Sequence, residues 1–287
     1  MALGAEANLI GVLSEPDRAL PSPAPPRSTP RPVVILLNAG VLHRVGPHRL
    51  HVNLARRLAA RGITSLRLDL SGIGDSPSVP GARSFRESAV ADTKAAMDQL
   101  AVELGAERFV LFGLCSGADN ALATAEVDPR VVGVVVIDPP AYVTPRARAR
   151  RLAGRVRALG GARATLSWGI GAIARRVRAR VAALARADAV DGGDPAPEVV
   201  GGREVPPPEV FRAQLAALVS RRVGILAVYS GALGIRYNHA DQVFELFPEL
   251  RGKLDRAYFP HANHMFTELD AQAALTGAVL DWIDRTP

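Results

Sequence analysis

FVLFGLCSGADNAL, residues 109–122, decides the reading of this chain. An apolar run of strand length, Phe109 to Phe112, enters Gly113-Leu114-Cys115-Ser116-Gly117, and a helical stretch from Ala118 to Ala125 follows. This is a G-x-nucleophile-x-G pattern, in which the central residue sits on a sharp turn and is lifted above a sheet. Larger side chains at Gly113 or Gly117 are expected to collide with the adjoining helix and strand. With Ser116 as the centre, the flanking residues become Leu114 and Ala118, and Leu114 is too bulky for the tight side. Cys115 is therefore the preferred centre, against the plainer reading of a buried cysteine at a strand end. The N–H of Ser116 would lie at a helix N-terminus, placed to stabilise an oxyanion, and the helix dipole would favour a thiolate at Cys115.

Outward from this stretch, strands and helices alternate. Val33 to Leu37 is a continuous apolar run, as expected of a buried parallel strand, and Ile63 to Leu70 and Val131 to Ile137 read as further strands. His48 to Arg61 repeats Leu50, Leu54 and Leu58 at helical spacing, and Phe85 to Leu104 reads as a long helix with Val90, Met97, Leu100 and Leu104 inward. Asn8 to Leu13 reads as an edge strand, and the proline-rich residues 21–32 as a connection. Gly224 to Tyr229, a helical stretch near Asp241 to Leu246, strand Leu254 to Phe259 and helix Ala271 to Ile283 complete the alternation. This order predicts a mostly parallel α/β sheet with right-handed crossovers.

The chain has 287 residues, 48% of them hydrophobic, which is enough for one large core. No apolar run reaches the ~18 residues of a membrane span, and the first residues lack the basic segment of a signal peptide. One cysteine excludes an internal disulfide. A cytoplasmic protein is expected. The net charge is +7, and 33 of the 35 basic residues are arginine. Between Ala141 and Arg222, sixteen arginines face six acids, a net of +10 that leaves the rest of the chain at −3.

The stretches NAGVLHRVGPHRLHVNLARRLAARG, SLRLDLSGIGDS and FGLCSGA resemble the α/β-hydrolase superfamily. More narrowly they resemble hydrolase-like proteins associated with exosortase A systems, and related members of biosynthetic gene clusters. The resemblance implies an α/β-hydrolase fold; alternation stops over the Arg/Ala-rich residues 141–220, which read as a helical lid inserted in a core of residues 1–140 and 221–287. It implies that the catalytic histidine follows the last strand, where Ala262-Asn263-His264-Met265-Phe266 matches the small-x-His-x-Phe pattern, with His261 shaping the loop. The usual acid position reads Ser230-Gly231-Ala232-Leu233-Gly234, with no carboxylate. Asp138 after strand VVVI, Asp241, or an uncharged Asn238 could substitute, and a Cys–His dyad is also viable. Asp138 and Asp241 each have a plainer reading, as a turn-forming residue before Pro139 and as a helix-start residue. The second oxyanion N–H is expected at Gly40, or at Val41 if the loop is one residue longer.

His43, Arg44, His48 and Arg49 stand beside that loop. Arg44, His48 and Arg49 are candidates for binding a carboxylate or phosphate, with a solvated helix start as the plainer reading. SGIGDS at 71–76 lacks dinucleotide spacing, and no cofactor or metal is expected. The Arg-rich segment has Trp168 as its only aromatic residue between 143 and 210, so nucleic-acid stacking platforms are absent. It reads as a solvated face or as a surface for an acidic partner, such as an acyl carrier protein or a coenzyme A thioester. The expected activity is cysteine-dependent acyl transfer, or hydrolysis of an ester or thioester, on a small acyl substrate. A lyase that eliminates an acyl-oxy group and a non-catalytic ligand-binding protein are the alternatives.

Overall fold

The computed structural model describes residues 1–4, 8–17, 30–79, 84–158, 199–200, 203–234 and 236–286. Eight strands form one sheet: β1 (Ala2–Leu3), β2 (Leu9–Ser14), β3 (Val33–Leu36), β4 (Ser65–Asp69), β5 (Phe109–Leu114), β6 (Val131–Ile137), β9 (Gly224–Ser230) and β10 (Asp255–Phe259). Their spatial order is β1-β2-β4-β3-β5-β6-β9-β10. β2 pairs antiparallel with both β1 and β4, and the remaining pairs are parallel. A separate two-stranded ladder joins β7 (Val199–Val200) to β8 (Arg203–Glu204).

Alternate residues of the central strands feed two cores. Val33, Ile35 and Leu37 point to one face, under helices α2 (Phe85–Leu104), α3 (Ser116–Val127) and α5 (Pro208–Ser220). Val34 and Leu36 point to the other, under α1 (Leu50–Ala60) and α7 (Leu269–Arg285). Both faces being covered explains why these strands read as unbroken apolar runs. Helix α2 starts where Ser84 and Glu87 close a reciprocal capping box.

Several expectations need correction. The strand at Leu9–Ser14 is not the edge, because β1 pairs outside it. Leu104, at the exposed end of α2, is not inward, whereas Ala89, Thr93 and Ala96 are buried. The stretch 208–220, assigned to the lid, is core: Phe211, Leu215 and Leu218 of α5 are buried over the sheet. Helix α4 (Pro145–Ala158) has Ala147 as its one buried residue. Residues 159–198, half of the expected lid, and most of the proline-rich connection lie outside the described residues. Among the described residues no helix is long and apolar enough to cross a membrane.

Strand order reverses at β3. The chain moves from β3 outward to β4, then returns to place β5 on the other side of β3. Loops leaving the carboxyl ends of β3 and β5 therefore part in opposite directions and leave a crevice, where open α/β sheets bind ligands.

Candidate active site

Cys115 occupies the turn between β5 and α3, at φ 58 and ψ −121. A positive φ on a non-glycine residue is strained by about 1–3 kcal/mol and persists only where its surroundings impose it. Here they do. The Cys115 N–H is held by the Ile137 carbonyl at 3.0 Å, and its carbonyl starts the helix by accepting from Ala118 N–H. A methyl group on Gly113 would lie 2.0 Å from the Gly117 carbonyl oxygen, and one on Gly117 would lie 2.5 Å from the Asn38 carbonyl oxygen. Glycine is thus required on both sides of Cys115, by backbone atoms that cannot yield. Ser116 is the first residue of α3, and its hydroxyl points elsewhere, accepting from Gly40 N–H at 2.9 Å.

Three other strand ends deliver the remaining groups. His264 lies in the loop after β10. That loop is folded on Asn263, whose Oδ1 accepts from the N–H groups of Met265 (3.0 Å) and Thr267 (3.3 Å). It is joined to the loop after β9 by a bond from Gly231 N–H to the Ala262 carbonyl at 3.0 Å. Asp138, 1% exposed, ends β6. Its Oδ2 meets His264 Nδ1 at 2.7 Å. The same carboxylate accepts from Ser230 at the end of β9, Oδ1 from its N–H and Oδ2 from its hydroxyl, both at 2.7 Å. His264 is pushed up to about 9, first by the Asp138 hydrogen bond and then by one to Cys115, with burial opposing both. The structure therefore joins Cys115, His264 and Asp138 in one chain of hydrogen bonds.

The other acid candidates are not brought there. Asp241 is exposed at the start of α6 (Gln242–Leu246) and pairs with Arg256 at 2.7 Å, because the turn before α6 carries it to the surface. Asn238 donates its Nδ2 to the Ala147 carbonyl at 2.8 Å. His261 is exposed.

The oxyanion loop also differs from expectation. Gly40 N–H is engaged by Ser116 Oγ, so Gly40 acts as a tether. A turn closed by Leu42 N–H on the Ala39 carbonyl follows, and among the described residues Val41 N–H has no acceptor. Val41 N–H is thus the donor that this loop leaves open, the position expected if the loop is one residue longer.

The proposed anion-binding trio does not form a substrate site. Arg44 places its guanidinium on Asp69, and on Asp75 at 2.7 Å, while Asp69 Oδ1 also accepts Arg44 N–H and Asn38 Nδ2. These bonds fasten the oxyanion loop to the end of β4. His48 and Arg49 are exposed at the start of α1 and do not line the cavity at Cys115. His43, Asp69 and Asp75 bring potential metal ligands within 4.8 Å of one another. Arg44 already supplies the cation between those carboxylates, so the cluster fits an ion-pair clamp better than a metal.

Cys115, His264 and Asp138 open into a cavity of about 560 Å3. Its wall is mostly apolar, with Leu42, Leu114, Pro139, Leu233 and Met265, and Arg236 also borders it. Such a space suits an acyl group bound through its hydrocarbon. The sequence reading missed the hydroxyls of Ser116 and Ser230 and the Asn263 amide. A serine in place of the expected carboxylate after β9 was the one signal available.

Comparison with curated proteins finds no match. Among solved structures, an α/β serine hydrolase homologue from Coxiella burnetii is 14% identical, with TM-score 0.54, over 95% of this chain and 90% of that one. A thermophilic esterase from Thermogutta terrifontis is 19% identical, with TM-score 0.52, over 97% and 93%. A serine hydrolase without a lid from Xanthomonas campestris is 16% identical, with TM-score 0.51, over 97% and 91%. These likenesses show the fold. Residues 30–197 match the family model for serine aminopeptidase S33, more than half of the chain. That family is named for serine, and here the apex of the turn is Cys115. The chain belongs to the serine aminopeptidase S33 family of α/β-hydrolase enzymes.

Proposed function

We propose that the protein is a cysteine-dependent hydrolase or acyltransferase acting on an ester or thioester with an apolar acyl group. One observation carries the reading. The residue at the strained apex, hydrogen-bonded to a His264 that is seated on buried Asp138, is a thiol facing an apolar cavity. Cys115 Sγ attacks the substrate carbonyl, forming the S–C bond while the carbonyl π pair moves to oxygen. Ser116 and Val41 N–H groups hold that oxyanion. Its collapse expels an alkoxide or thiolate, which takes the proton from the His264 imidazolium, and leaves a thioester on Cys115. Water or an acceptor alcohol, deprotonated by His264, then attacks the thioester and releases the acyl group.

A coenzyme A or acyl-carrier-protein thioester fits this reading on charge. Sixteen arginines against six acids between Ala141 and Arg222 would attract an acidic carrier. A cytoplasmic location would agree with such a substrate, and the narrower resemblance to exosortase-associated and biosynthetic-cluster proteins bears on catalytic type rather than on substrate.

Intact-mass analysis after mixing with p-nitrophenyl butyrate or octanoyl-coenzyme A tests the proposal. The expected result is one acyl adduct, located on Cys115 and absent from Cys115→Ala. Turnover that persists in Cys115→Ala, with no adduct in either protein, would overturn the cysteine nucleophile. Neither adduct nor turnover with either substrate would select the ligand-binding reading.

A further inference from the structure

We propose that Ser230 is a positioning residue for the acid: its two donors hold the Asp138 carboxylate on His264 and share the charge of the oxygen that His264 uses. The inference rests on His264 and Cys115 being the reacting pair.

The sheet itself creates the juxtaposition. β6 and β9 are parallel neighbours with Ile137 opposite Val228, and Asp138 N–H donates to the Val228 carbonyl at 2.8 Å. Asp138 and Ser230 therefore stand side by side at adjoining strand ends. Ser230 is fully buried, and its hydroxyl oxygen accepts from Ala232 N–H at 3.3 Å. With that lone pair engaged, the hydroxyl hydrogen is directed at Asp138 Oδ2. The carboxylate is gripped at both oxygens by one residue, which fixes its plane. The remaining direction on Oδ2 is the one taken by His264 Nδ1 at 2.7 Å.

Two consequences follow. A charge-assisted donor on Oδ2 competes with His264 for the same negative charge, so Ser230 restrains how firmly the imidazolium is held. In addition, position 230 lies one hydrogen bond from the oxygen that meets His264, so a carboxylate at the end of β9 would also come within reach of Nδ1. Among the described residues, the titratable groups facing His264 are Asp138 and Cys115, and Arg236 borders the same cavity. None of these is altered when Ser230 is changed.

The test uses the full chain and a readout that needs no substrate. The rate of Cys115 alkylation by iodoacetamide is followed from pH 5 to pH 11, and its upper inflection reports proton loss from His264. Ser230→Ala should raise that inflection by about half a pH unit, while Ser230→Thr, which keeps the donor, should leave it in place. Asp138→Asn should lower the inflection sharply. The double variant Asp138→Asn/Ser230→Asp should bring it most of the way back, and it keeps the test open should Ser230→Ala fail to fold. An unmoved inflection in Ser230→Ala, an equal shift in Ser230→Thr, or a double variant no different from Asp138→Asn would each overturn the proposal. If the inflections move as expected but no ester or thioester is turned over, the role of Ser230 stands and the hydrolase reading falls.

Discussion

Replacing Asp138 by asparagine tests the hydrogen-bond chain at its most buried link. His264 rises from an ordinary 6.5 to about 9, and the Asp138 hydrogen bond is the largest cause. A rise of that size corresponds to about 3 kcal/mol between protonation states. The imidazole is 35% exposed, and solvent screening reduces the usable part to about 2 kcal/mol. Asparagine keeps the shape and can still accept from Ser230 N–H. Its Nδ2 would then face His264 Nδ1, forcing the tautomer whose Nε2–H points at Cys115 and cannot take the thiol proton. Turnover of a p-nitrophenyl ester should fall at least ~100-fold, less than the ~10,000-fold lost when the acid of a serine triad loses its charge, because a thiol depends less on the third member.

Stability should report the same link. A histidine whose folded value is raised stabilises the native state fully below 6.5 and loses that contribution as pH rises through about 9. The urea midpoint of the wild type should therefore decline between pH 6.5 and 9.5, and that of Asp138→Asn should be nearly flat across the window. Asp241→Asn is the control, since Asp241 touches Arg256 at the surface and not His264. Near-normal turnover and an unchanged pH slope in Asp138→Asn, with loss in Asp241→Asn, would refute the assignment.

Ser116→Ala removes the tether on Gly40 N–H while leaving the turn at Cys115 intact. Turnover should drop about tenfold, the worth of one hydrogen bond in the oxyanion loop, with iodoacetamide labelling of Cys115 unchanged; loss of labelling would show that the apex itself had moved. His51 is wholly buried against Phe112, and burial pushes it down to about 4, which the Arg44 carbonyl only partly offsets. The unfolded chain takes up this proton below 6.5 while the folded chain refuses it until about 4, so falling pH should cost up to about 3 kcal/mol of stability through that window. His51→Leu should remove most of that decline in urea titrations at pH 4.5 and 7.5, and an equal decline in both proteins would place the acid sensitivity elsewhere.

What could be read from the sequence was whatever depends on local pattern. The turn at Cys115 was legible because glycine on both sides is a steric requirement, and Gly113 and Gly117 meet backbone oxygens at 2.0 and 2.5 Å. The central strands were legible because burial on both faces leaves no polar alternation. The acid was not, since Asp138 after a strand and Asp241 before a helix each have an ordinary use, as a turn residue and as a helix-start residue. Only the adjacency of β6 and β9 separates them. Arg44 was misread for a related reason. Its partners Asp69 and Asp75 lie 25 and 31 positions away, and a charge pattern along the chain does not reveal which opposite charges the fold will bring to it. The β1 strand, two residues long, carries no periodicity to detect.

The two departures from the usual site, a thiol at the apex and an acid at the end of β6, make physical sense together. An oxygen nucleophile needs a neutral histidine to accept its proton at the moment of attack. His264 is raised by Asp138 first and by Cys115 itself second, so the thiol helps to create the protonated histidine that it would work beside. In the proposed reaction a thiol, more acidic than a hydroxyl, would pass its proton to the imidazole before substrate arrives, and a thiolate beside an imidazolium would be the working state rather than an obstacle. In that state the histidine's first task is to give a proton to the leaving group, and an imidazolium held firmly on Asp138 is ready for it. Ser230 fits the same logic. By sharing Oδ2 it keeps the acid from binding the imidazolium so tightly that the proton is withheld. The carboxylate, the serine beside it and the thiol thus set one quantity between them, the readiness of His264 to surrender its proton.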